Sequence, residues 1–78
     1  METEMKKFFL ENKELFKKHL DKDEYRICEM RWELDKNSER IAKELDLKTQ
    51  DVFILLLHSV IIIKNVIKDS NSNLTNDY

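Results

Sequence analysis

Asp51-Val-Phe-Ile-Leu-Leu-Leu-His-Ser-Val-Ile-Ile-Ile-Lys64 decides how the rest of the chain is read. Between its charged ends the only polar side chains are His58 and Ser59. Val52-Phe-Ile54 and Val60-Ile-Ile-Ile63 are types that favour strands. No turn separates two strands, however, and one strand over the whole stretch would exceed the ~10 residues that strands reach. A helix from Gln50 to about Lys68 fits. On such a helix Val52, Leu55, Leu56, Ser59, Val60, Ile63, Val66 and Ile67 share one face, while Phe53, Ile54, Leu57, Ile61 and Ile62 lie largely on the other. The first face can cover a core. The second has nothing on its own helix to cover it, and a helix apolar all round must be surrounded.

The residues before it supply the core. Met5, Phe8, Phe9, Leu15, Phe16 and Leu20 fall at helical spacing, which predicts a first helix from about Thr3 to His19 or Leu20. Asp21-Lys-Asp-Glu24 has the form of a capping box and opens a second helix. That helix carries one stripe of Ile27, Met30, Arg31 and Leu34 beside another of Tyr25, Cys28 and Trp32. Asp35-Lys-Asn-Ser38 is a connector, and Asn37 or Ser38 caps a short third helix, Glu39 to Leu45, with Ile41, Ala42 and Leu45 inward. Asp46 stands at a turn, Leu47 plugs it, and Thr49 caps the fourth helix. The expected fold is all-α: a small bundle of about four helices in one domain, residues 1–68, with a disordered tail over residues 69–78.

Composition narrows the function. The 78 residues contain no glycine and no proline, the residues on which the many tight turns of a sandwich or barrel depend. Without glycine there is no phosphate-binding loop. The single cysteine, Cys28, excludes an internal disulfide, and one cysteine with His19 and His58 lacks the paired spacing of a zinc site. No nucleophile–base pair is legible, so an enzyme and a cofactor are not expected. The net charge of −2 is not that of a general nucleic-acid binder, since phosphate neutralisation dominates such affinity. The first residues lack an apolar signal core. The longest uncharged run, Val52 to Ile63, is short of the ~20 residues of a membrane-spanning helix. The expectation is a cytoplasmic protein without a membrane role.

Asp23 to Lys68 resembles the helix-turn-helix of the C-terminal region of bacterial sigma factors and of the related LuxR-type regulators. Glu24-Tyr-Arg-Ile-Cys-Glu-Met-Arg-Trp-Glu-Leu34 is similar to the family's support helix. Ser38-Glu-Arg-Ile-Ala-Lys-Glu-Leu-Asp-Leu-Lys-Thr-Gln-Asp-Val52 is similar to the motif itself, with Ile41 and Ala42 as its Ile-Ala pair, Leu45 as its inward leucine, Asp46 in place of its turn glycine and Val52 as the buried residue of its recognition helix. The resemblance implies a second helix projected into the DNA major groove. The corresponding positions here are Gln50, Asp51, Phe53, Ile54, Leu55, Leu57 and His58. Most of them cannot read a base edge, and no Lys or Arg appears from Gln50 until Lys64.

The resulting expectation is a small non-enzymatic regulatory protein associated with transcription, in which a repurposed helix-turn-helix serves protein–protein interaction. Phe53, Ile54, Leu57, His58, Ile61 and Ile62 form the partner interface. The partner is a second copy or another protein, with the transcription machinery as the target that the resemblance implies. If instead the first helix wraps over the outer face of the last, the chain is a self-sufficient monomer. The alternative function is a sequence-specific DNA-binding dimer that contacts phosphate through Arg26, Arg31, Lys36, Arg40, Lys43 and Lys48.

Overall fold

A computed structural model describes the backbone of residues 2–75 and the side chains of residues 3–70. All of its regular elements are helical: α1 (Glu2–Glu11), α2 (Lys13–His19), α3 (Lys22–Cys28) running on into a π-helical turn (Glu29–Glu33), α4 (Ser38–Leu45) and α5 (Thr49–Thr75).

The single first helix of the sequence reading is two helices. Asn12 leaves helical geometry, at φ −128° and ψ 29°. Its side-chain Nδ2 donates to the Phe8 carbonyl at 2.9 Å, and its backbone N–H donates to the Phe9 carbonyl at 3.1 Å. Asparagine side chains compete in this way with the helical ladder. Beyond the break, Phe16 meets Phe8 and Phe9 edge-on, with ring centroids 5.8 and 4.9 Å away.

α3 opens with the expected capping box. The Glu24 N–H donates to Asp21 Oδ1 at 2.8 Å and the Asp21 N–H donates to Glu24 Oε1 at 3.0 Å. The π turn after it was not legible in the pattern. Its signature is the Leu34 N–H donating five residues back, to the Glu29 carbonyl at 3.0 Å. Met30 and Trp32, both within this turn, are buried in the core. Leu34, read as part of the inward stripe, is instead 56% exposed just past the turn. Asp35 follows in the left-handed region, at φ 57°.

Asn37 caps α4, its Oδ1 accepting from the Arg40 N–H at 2.9 Å. Asp46 ends α4 in the left-handed region, at φ 57° and ψ 49°, as its place in the turn led us to expect. The Ala42 carbonyl accepts from the N–H groups of both Asp46 and Leu47, a Schellman-type ending that fixes the turn through the backbone. Leu47 does not plug it. That side chain is 45% exposed, on the rim of a groove with Ile27, Leu45 and Leu55. Nor does Thr49 precede α5: the Lys48 carbonyl accepts the first helical bond, from Val52 at 3.1 Å, and Thr49 is the first helical residue. α5 continues past Lys68 to Thr75, since adding a residue to an existing helix costs far less than starting one. Residues 76–78 of the expected tail lie outside the described residues.

The core gathers Phe9, Phe16, Leu20, Ile27, Cys28, Met30, Trp32, Ile41 and Ala42 around Val52, Leu56, Val60 and Ile63 of α5. Trp32 is its centre, with the Phe9 and Phe16 ring centroids at 5.6 and 6.4 Å. α5 packs against α4, α3 and α2, while α1 packs on the π turn and α2. α1 therefore does not wrap the outer face of α5. By length and composition alone Thr49–Ser70 is also able to cross a membrane, although in this fold its inner side is committed to the core.

Candidate functional site

The outer face of α5 carries four of the exposed large apolar side chains among the described residues. Phe53, Ile54 and Ile61 are each just over half exposed and Leu57 is 36% exposed. Residues 53, 57 and 61 are four apart and 54 and 61 are seven apart, so the four side chains form one stripe. His58 lies exposed along its margin. Ile62, read with this face, packs partly against the core: at 100° per residue it falls between His58 and Leu55, at the margin of the inner side.

Beside the stripe runs a groove of about 290 Å³, lined by Glu4, Met5 and Phe8 of α1 and by Leu57, Val60, Ile61 and Lys64 of α5. Lys64 Nζ sits 5.7 Å from the centroid of the Phe8 ring, within cation–π reach, at one end of the groove. The contribution of α1 was missed from sequence. The signal available was the adjacent pair Phe8 and Phe9, which cannot both face one core; Phe9 is fully buried and Phe8 only partly so.

The residues proposed for phosphate contact do not form a continuous basic track. Glu44 takes a 2.9 Å contact from Lys36 Nζ and a 3.2 Å contact from Arg40 Nε. The hydrogen bond from Lys36, reinforced by Arg40, holds the Glu44 carboxyl below the usual carboxylate range. Arg31 Nη1 donates to the Lys36 carbonyl at 3.4 Å. Arg26 lines a different groove together with Asp23. Lys43 shares a shallow depression with Glu39 and Glu44, and Lys48 is exposed at the α4–α5 turn. Carboxylates thus interleave the cations, as on an ordinary mixed-charge surface.

Cys28 is fully buried, and burial pushes its thiol up to about 11, partly offset by a hydrogen bond with Ser59. A thiol held protonated is neither nucleophile nor metal ligand. Ser59 itself donates to the Leu55 carbonyl at 2.8 Å. Among the described residues, no three His, Cys, Asp or Glu side chains come together as a metal site. His19 is exposed in the last turn of α2, where a cation suits the helix dipole. The Trp32 indole N–H is buried without an acceptor among the described residues. Trp32 also lines a small cavity with Thr3, Lys6, Arg31 and Asp35.

No protein-family model, curated protein or solved structure matches the chain.

Proposed function

We propose that the chain is a small non-enzymatic interaction protein that self-associates through the outer face of α5, a helix-turn-helix architecture repurposed from DNA reading to protein contact, with a regulatory role in transcription. The observation that carries this reading is the stripe Phe53, Ile54, Leu57 and Ile61, left exposed by a fold that has used the opposite side of the same helix for its core. Full burial of such a side chain is worth roughly 1.5–3 kcal/mol. About half of that remains in each of the four, or ~3–6 kcal/mol per protomer and twice this across a symmetric contact, comparable with the ~4–15 kcal/mol that association costs. Supporting the architecture are α4 and α5, joined by the turn Asp46 to Lys48, with Val52 buried where the resembling family buries its recognition helix. The transcription role rests on the resemblance alone.

Light scattering after size exclusion, paired with fluorescence anisotropy on mixed-sequence duplex DNA at low salt, tests the proposal. A dimer mass with no duplex binding is the expected result. A monomer mass at every concentration refutes self-association. Duplex binding that falls steeply with salt instead favours the DNA-binding alternative through the cations between Arg26 and Lys48.

A further inference from the structure

Resting on the reading of α5 as a self-association surface, we infer that two copies of this chain pair antiparallel about a two-fold axis beside Leu57, each inserting Phe53 into the partner's groove between α1 and α5. At 100° per residue the order round α5 is Phe53, Lys64, Leu57, Ile61, Ile54, His58, so Phe53, Lys64 and Leu57 lie toward the edge that adjoins α1 and its groove, while Ile61 and Ile54 lie between them and His58. A two-fold axis perpendicular to α5 reverses the helix direction and keeps each side chain on its own edge. With the axis between Leu57 and His58, Ile54 stands level with the partner's Ile61. Phe53 then stands level with the partner's Ile62 and on the groove edge, between the partner's Leu57 and Lys64. A parallel pair behaves differently. Its axis runs along the helices, so Phe53 moves to the opposite edge and both grooves stay open. Of the two arrangements, only the antiparallel one brings the exposed Phe53 ring to the partner's groove between α1 and α5.

The areas are compatible with this occupant. At ~200 Å² for a whole aromatic side chain, and slightly less for Ile and Leu, the exposed parts of Phe53, Ile54, Leu57 and Ile61 amount to ~350 Å² per protomer. That is close to half of the ~800 Å² a partner contributes to a stable interface. Met5, Phe8, His58 and the stem of Lys64 border the stripe and supply further area.

Cysteine crosslinking reads the direction directly. Ile54→Cys and Ile61→Cys are made separately, and each protein is oxidised with copper–phenanthroline alone and after mixing. Native Cys28 is fully buried and stays in place. Antiparallel pairing gives a disulfide-linked heterodimer on mixing, at least ~10-fold above either variant alone, because Ile54 and the partner's Ile54 lie seven helical rises, ~10 Å, apart. Self-crosslinking of Ile54→Cys means parallel pairing and overturns the inference while leaving self-association intact. A monomer mass with no crosslink overturns both. Occupation of the groove is tested separately by Phe53→Ala, which should raise the dimer Kd at least ~100-fold, as loss of a central aromatic anchor does, with an unchanged circular dichroism spectrum. Unaltered dimer affinity in that variant removes Phe53 from the contact.

Discussion

Leu56 and Ile61 are five residues apart on one helix, yet replacing each by aspartate should produce opposite outcomes. Leu56 is 3% exposed and touches the core; Ile61 is 54% exposed on the outer stripe. Truncating a buried leucine costs ~2–5 kcal/mol, and an unpaired carboxylate in the same place adds several more. A 78-residue domain has only ~4–12 kcal/mol of stability in total, at ~0.05–0.15 kcal/mol per residue. Leu56→Asp should therefore leave the chain unfolded, with its helical circular dichroism and cooperative melt lost. Ile61→Asp removes only the half of an isoleucine that the protomer buries, ~1 kcal/mol, and should retain helicity and a cooperative transition. It also puts a carboxylate into the contact from each of the two protomers. At ~1.5 kcal/mol or more apiece the dimer weakens by ~3 kcal/mol, over 100-fold in Kd. Circular dichroism and light scattering on the same samples separate the two effects. An unfolded Ile61→Asp, or a folded Leu56→Asp, would show that the inner and outer faces of α5 have been misassigned.

Three further outcomes follow from local geometry. Asp46→Gly should raise stability by ~0.5–1 kcal/mol, a few degrees in Tm, because glycine takes the left-handed conformation at φ 57° without Cβ strain and removes an anion from a helix C-terminus; an unchanged or lower melting temperature contradicts it. Glu44 has a folded pKa below its ordinary value, so its stabilising effect is present above the unfolded pKa and is lost as pH falls through the folded one. The melting-temperature difference between the native protein and Glu44→Gln should accordingly be constant near neutrality and shrink on acidification below about pH 4.5. Cys28 should be inert to a thiol reagent at pH 8 in the folded protein and fully reactive in denaturant. Its folded pKa is raised from 9.0 to about 11, so the associated stability is present below pH 9 and lost as pH rises toward 11; rapid labelling of the native protein would place the thiol at the surface.

The helical class was legible because glycine and proline are absent and because the apolar positions repeat at 3.6, not 2. The Asp21 cap was readable, and that of α4 was narrowed to Asn37 or Ser38, for the same kind of reason: the acceptor and its N–H donor lie within one turn. The breaks were not. Asn12 falls where the apolar stripe skips a turn, between Phe9 and Leu15, but the hydrogen bond that ends the helix there is one that a spacing count does not see. The π turn at Glu29–Glu33 is likewise invisible in the pattern, since Met30 and Trp32 read as inward on neighbouring stripes of an ordinary α-helix.

Sequence alone determined that α5 carries two apolar faces, because the angle between side chains on a helix follows from their spacing. It also assigned the inner face largely correctly, Ile62 being the residue that moved from the outer set. What only the tertiary structure decided was whether the outer face is covered. That depends on where α1 lies, and α1 is directed by the break at Asn12 and by the aromatic packing of Phe9 and Phe16 on Trp32. Those long-range contacts hold α1 on the π turn and leave a groove, not a seal, along α5.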